Sequence, residues 1–161
     1  MARDHARIYV SIWDNPDFIR LPSAAQHAYL MLGSQKGVSY CGVVDYVPGR
    51  MLRNATDLTE PKLRAAVKTL ARDKFVVVDQ GTQELLIRSF IRHDNILARK
   101  NMGIACAKAI GKVHSQDVRD ALMHELARLY AEDPSREGWA GFKSHDPIAF
   151  DMACAMALDM E

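Results

Sequence analysis

Between residues 47 and 88 the chain reads VPGRMLRNATDLTEPKLRAAVKTLARDKFVVVDQGTQELLIR, and its apolar positions change rhythm along the way. Leu63, Val67 and Leu70 recur at i, i+4 and i+7 with Ala66 beside them, the spacing that lines one side of an α-helix. Ahead of them Thr59 is a favourable N-cap. Glu60 puts a negative charge in the first turn, where the helix dipole favours it, and Pro61 sits where a missing N–H costs nothing. A helix over residues 59–74 follows. Arg64, Lys68 and Arg72 recur at i, i+4 and i+8 on a different side, flanked by Lys62, Ala65 and Thr69. One face of this helix packs, and a basic face is left for solvent or a partner.

Upstream, residues 48–55 predict a short helix that buries Met51 and Leu52, with Thr56, Asp57 and Leu58 as the connection and Leu58 turned inward. Two helices joined by three or four residues, the second basic and exposed, make the helix-turn-helix pattern. Downstream, Phe75-Val76-Val77-Val78 and Leu85-Leu86-Ile87 are β-prone runs separated by Asp79-Gln80-Gly81-Thr82-Gln83, which reads as a hairpin loop. The order helix, turn, helix, hairpin predicts an α+β fold: a winged helix-turn-helix over residues 1–95. Additional C-terminal helices over 96–161 either stand apart or pack on the same core.

The flanks add scaffold. Residues 7–13 alternate well enough for a short strand or extended arm, with Ile8, Val10 and Ile12 to one side. Phe18 and Leu21 look like anchors before a helix over 23–35, which presents Ala25, Ala28, Tyr29 and Leu32, widened by Leu30 and Met31. Residues 42–46 are short and β-like, placed to pair with the hairpin. Residues 96–112 suit a helix weakened by Gly103. Ser115 caps a cleaner helix to about residue 131, with Val118, Leu122, Leu126 and Leu129 as its seam. His124-Glu125 reads as part of its solvated side. Residues 133–146 hold Pro134, Gly138 and Gly141 and read as a loop pinned by Trp139 and Phe142. A final helix over 147–160 carries Met152, Met156 and Met160 at i, i+4 and i+8, a stripe expected to pack, with a partner surface as the lesser reading.

Charge changes the picture more than composition does. The net charge of +1 conceals 17 Lys and Arg against 10 Asp and Glu up to Lys112, and 4 against 10 from Val113 onward. A basic body is the footprint of a polyanion binder. No apolar run approaches the roughly 20 residues of a membrane span, and the start MARDHARIYV has no apolar leader region, so a cytoplasmic protein with no membrane contact is expected. Cys41, Cys106 and Cys154 are far apart and odd in number, which points to buried thiols and not to a disulfide frame or a zinc site. His93 beside Asp94 has no third ligand at helical spacing and no nucleophile, which leaves a capping or solvent role. The chain has no GxxxxGK[ST], no GxSxG and no metal-spaced histidines, so a non-enzymatic protein without a cofactor is expected.

The segments IWDNPDFIRLPSAAQHAYLMLGSQ and GVVDYVPGRMLRNATDLTEPKLRAAVKTLARDKFVVVDQGTQELLIRSFIRHDNIL resemble a group of actinobacterial phage and prophage helix-turn-helix proteins. More distantly they are similar to the N-terminal winged-helix domain of DnaD-type replisome organisers and phage replication initiators. The resemblance covers about residues 9–101, and the C-terminal DNA-binding module of DnaD-type proteins has no counterpart in this chain. It implies a winged-helix fold in a phage-like setting and raises DNA binding, with a role in transcription control or replication initiation.

On that reading the helix over 59–74 enters the major groove of double-stranded DNA. Lys62, Arg64, Ala65 and Lys68 lie nearest base edges, Thr69 flanks them and Arg72 meets phosphate. Arg50 and Arg53 on the preceding helix, and Gln80, Thr82 and Gln83 in the wing, hold the backbone. Arg88 and Arg92 in the exit from the hairpin are further contact candidates. One module offers few contacts, so a homodimer is expected if binding is specific. The alternative is a protein adaptor whose acidic, Met-rich C-terminal part docks a host or replisome protein.

Overall fold

In the computed structural model, which describes residues 3–160, helices α1 (Pro16–Ile19) and α2 (Ser23–Gly33) precede the strand β1 (Val43–Asp45). Helix α3 (Pro48–Met51) runs into a 3-10 turn (Leu52–Asn54), then α4 (Glu60–Arg72) leads to the hairpin of β2 (Val76–Asp79) and β3 (Glu84–Ile87). The remainder is helical: α5 (Phe90–His93), α6 (Lys100–Gly111), α7 (Gln116–Glu132), α8 (Glu137–His145) and α9 (Pro147–Leu158). The fold is α+β, and its three strands form one antiparallel sheet in the order β1-β3-β2. No helix among the described residues is long and apolar enough to cross a membrane.

Helix α4 starts where its cap dictates: the Thr59 hydroxyl oxygen accepts the N–H of Lys62 at 3.4 Å. Its buried stripe is Leu63, Ala66, Val67 and Leu70, and it packs on α2 through that helix's Ala25, Ala28, Met31 and Leu32. In the sheet, Val43 faces Leu86, Val76 faces Ile87 and Asp79 faces Glu84, so the hairpin loop is the four residues 80–83. One Asp79 carboxylate oxygen accepts the N–H groups of Gly81 and Thr82, and Gln83 closes the loop in the left-handed region at φ 58°.

All four residues of β3 are buried, so both faces of the central strand are covered. Helix α7 packs against β2 and β3, and α4 packs against β2. One hydrophobic cluster therefore runs without interruption from Phe18 through the sheet to Leu122, Trp139 and Ala153. The hairpin and α7 are also joined by charge. The Glu84 carboxylate accepts the N–H of Ser115 at 2.7 Å and that of His114 at 3.1 Å, just before α7 begins. Burial by itself would raise the Glu84 pKa, but the His114 N–H, the Thr82 hydroxyl and the Ser115 N–H together outweigh it and hold the carboxyl below its ordinary 4.5. A carboxylate depressed in the folded state lends stability above its unfolded pKa and loses it as pH falls through the folded one. The urea midpoint is thus expected to drop as pH falls below about 4.5, and Glu84→Gln to flatten that drop. An acid profile unchanged by the substitution would assign it to other carboxylates.

Several expectations are corrected. Residues 7–13 form no strand: the backbone is irregular until a 3-10 turn at Val10–Asp14, and Ile8 and Val10 are 59% and 87% exposed. A period-2 pattern needs a sheet edge to pair with, and this arm is instead held by side chains, Arg3 to Asp94 and to the Gly33 carbonyl, and Tyr9 hydroxyl to the His93 carbonyl. Residues 137–145 are helix, not loop, because their glycines serve a helix contact. A Cβ on Gly103 of α6 would stand 1.9 Å from the Gly138 carbonyl oxygen, and one on Gly141 of α8 1.9 Å from that of Lys100. The same contact makes Gly103 a packing position rather than a weak point of α6. Glu125 is buried, not solvated. The methionine stripe of α9 is not its buried side: the helix buries Ala153 and Ala157, while Met156 is half-buried and Met152 and Met160 are exposed.

Candidate nucleic-acid interface

The solvent face of α4 follows from its buried one. With Leu63, Ala66, Val67 and Leu70 turned inward, Lys62, Arg64, Ala65, Lys68 and Arg72 are exposed, and Thr69 is half-buried at the edge. The Thr69 hydroxyl donates to the Ala65 carbonyl, as a helical threonine does when nothing else claims it.

Arg64 is the residue that joins two elements. Its guanidinium lies 2.8 Å from Glu60 one turn earlier, and its Nη1 donates to the Gln80 side-chain oxygen at 3.2 Å. The basic face of α4 and the tip of the hairpin are thereby in direct contact. Thr82 and Gln83 complete that tip and are exposed. Arg50 and Arg53, on α3 and the turn after it, are exposed and form no ion pair among the described residues.

The cations of α4 differ in how free they are. Lys68 has no carboxylate partner among the described residues, and Lys62 donates to a main-chain oxygen, the Asp57 carbonyl. Arg72 grips Asp73 through Nε and Nη2 at 2.9 and 3.1 Å, and this hydrogen bond holds the Asp73 carboxyl below its usual range. Pairs as exposed as Arg64–Glu60 and Arg72–Asp73 are worth little in water, so either guanidinium can exchange a carboxylate for a phosphate at small cost.

Comparison with protein-family models, curated proteins and solved structures gave no match.

Two of the expected contact residues point elsewhere. Arg88 donates through Nε and Nη2 to one Glu125 oxygen at 3.0 and 2.6 Å, and Arg92 meets both Glu132 oxygens at 2.5 and 2.8 Å. Both arginines thus tie the end of the hairpin to α7, with Glu132 held below its usual pKa chiefly by the Arg92 hydrogen bond. Arg88 meets a buried carboxylate, whereas the Arg92–Glu132 pair is 35% and 42% exposed, nearly as open as the pairs of α4. Glu125, which also accepts from Arg128, had no place among the expected functional residues. The available signal was a spacing: arginines four apart in the exit and glutamates seven apart along one side of α7.

Elsewhere the chemistry is sparse. Cys41 and Cys106 are buried thiols, both pushed up in pKa by burial, and Cys154 is half-buried. Among the described residues no three His, Cys, Asp or Glu side chains are grouped to hold a metal ion.

Proposed function

We propose that this chain is a winged helix-turn-helix protein that binds double-stranded DNA, with α3 and α4 as the helix-turn-helix and the β2–β3 loop as the wing. The observation that carries this reading is the exposed basic face of α4 in contact, through Arg64 and Gln80, with the tip of the hairpin. A recognition helix and a wing that act on one duplex have to lie together in this way. Lys62, Arg64, Ala65 and Lys68 are the residues for base edges, with Thr69 beside them. Arg72, Arg50, Arg53, Gln80, Thr82 and Gln83 are those for the backbone. Arg88 is left out because the buried Glu125 holds it, and Arg92, whose pair with Glu132 is half-exposed, stays a candidate backbone contact. The resemblance to phage helix-turn-helix proteins points to transcription control or replication initiation. Specific complexes generally bury on the order of 1,000 Å² or more of protein surface, which favours a homodimer.

Fluorescence anisotropy on random duplex DNA across a salt series tests this. Affinity is expected to fall steeply with salt, and Arg50→Ala/Arg72→Ala to lower the slope by about two, one for each phosphate left without its arginine. Lys108→Ala, an exposed lysine of α6, should leave the slope alone. Absence of binding at low salt would overturn the reading.

One observation favours a second reading, an adaptor for a host or replisome protein. Ile148, Met152 and Leu158 of α9 are 73%, 52% and 72% exposed, with Asp151 and Asp159 next to them in the chain, and apolar exposure of this kind is typical of protein contact surfaces.

A further inference from the structure

A cavity of about 820 Å³ lies between the N-terminal arm, α2 and the segment leaving β3. Small-molecule sites span roughly 300–1,000 Å³. The arm forms one wall, from Ala6 to Ile12, and is held in place by Arg3, through Asp94 and Gly33, and by Tyr9, through His93. Tyr29, Leu30, Met31 and Phe90 supply an apolar and aromatic wall. The polar atoms there are quiet, since the Tyr29 hydroxyl and Ser89 satisfy each other at 2.9 Å.

The charge of the lining is one-sided. Arg7, Lys36 and Arg53 are exposed, and none forms an ion pair among the described residues. The single carboxylate of the lining, Asp94, is already matched by Arg3 at 3.0 Å. His93 is held below the usual histidine range by burial and then by the Arg92 charge. Phe90 is almost fully buried and carries Arg3 over its ring at 5.1 Å, so the rings left to a ligand are Tyr9 and Tyr29, and three unmatched cations beside them suit an anion that carries a planar apolar body.

We propose that this cavity binds a nucleotide, with its phosphate on Arg7, Lys36 and Arg53 and its base against Tyr9 and Tyr29. The nucleotide is either free or part of a single strand, and both present the same chemistry. The site is separate from the α4 face and shares with the duplex-binding reading only Arg53.

Calorimetric titration of the full chain with dAMP tests it, with inorganic phosphate, deoxyadenosine and single-stranded (dA)10 as the other probes. The expected result is saturable dAMP binding. Arg7→Gln/Lys36→Gln should weaken it roughly ten-fold or more, since the charge-assisted hydrogen bonds to phosphate are removed. Lys62→Ala/Lys68→Ala should leave it unchanged, which separates this site from the duplex face. Phosphate or deoxyadenosine alone should bind far more weakly than dAMP. Competition of (dA)10 with dAMP at the same site would identify the strand as the source, and binding of dAMP without such competition the free nucleotide. No dAMP binding at millimolar concentration would overturn the proposal. So would equal binding by the Arg7→Gln/Lys36→Gln variant, or phosphate binding as tightly as dAMP.

Discussion

Gly103→Ala is expected to destabilise the protein by about 3 kcal/mol or more, the upper end of what overpacking a core costs. The added methyl would fall 1.9 Å from the Gly138 carbonyl oxygen, and that oxygen belongs to the backbone of α8, which cannot rotate aside as a side chain would. Relief requires the two helices to separate, and separation unpacks Trp139 and Phe142, which are almost fully buried. Gly141→Ala should behave alike, since its methyl would fall 1.9 Å from the Lys100 carbonyl oxygen. Gly111 stands at the end of the same α6 with open space where a Cβ would go. Gly111→Ala should therefore stabilise by a few tenths to about 1 kcal/mol, as alanine does in an unobstructed helix. Urea unfolding checks the sign at each position. A loss under about 1 kcal/mol at Gly103 would mean that α6 and α8 are not in the close contact described.

The next largest effect is expected at Arg88. Glu125 is only 6% exposed, and Arg88 supplies its two short hydrogen bonds, leaving Arg128 at 3.4 Å as the other partner. Removing one member of a buried pair leaves an uncompensated charge and typically costs 3–5 kcal/mol. Arg88 is itself about one-fifth exposed and Arg128 remains, so Arg88→Met should cost about 2–3 kcal/mol. Replacing both with apolar residues, Arg88→Met/Glu125→Leu, removes the orphan charge and should recover most of that loss. The double-mutant cycle in urea then gives a coupling energy well above what an exposed pair yields. Additive losses would show that the two side chains act separately.

How much of this was legible in the sequence depends on how far apart the interacting groups lie. Helix α4 was plain because its cap, its apolar stripe and its basic face sit within fourteen residues, 59–72, and each follows from local rules. The Ser115 cap and the seam of α7 were legible for the same reason. Helix α8 was not, because Gly138 and Gly141 are helix breakers by propensity, and only the approach of α6 turns them into packing positions. The alternation of residues 7–13 is a genuine strand pattern that finds no strand beside it. Within the candidate site, the exposed residues of α4 could be named from their helical angle, whereas the Arg64–Gln80 contact spans sixteen residues and has no sequence signature. The partners of Arg88 and Arg92 were hidden because a cation in a basic exit looks free until a carboxylate 37 or 40 residues later is folded against it.

The covered central strand sets a limit on how this protein can be taken apart. Leu85, Leu86 and Ile87 turn side chains to both sides of the sheet, and α7 is what lies over β2 and β3. A fragment ending before α7, or a chimera grafting only the helices and hairpin onto another protein, would carry a bare apolar sheet and an unmatched Arg88 into solvent. Such a surface invites intermolecular association. The segment with the basic helix is thus not portable. Whatever lineage carries it is expected to have inherited the helical half along with it, and recombination between the two halves would be selected against on solubility before any loss of binding was felt.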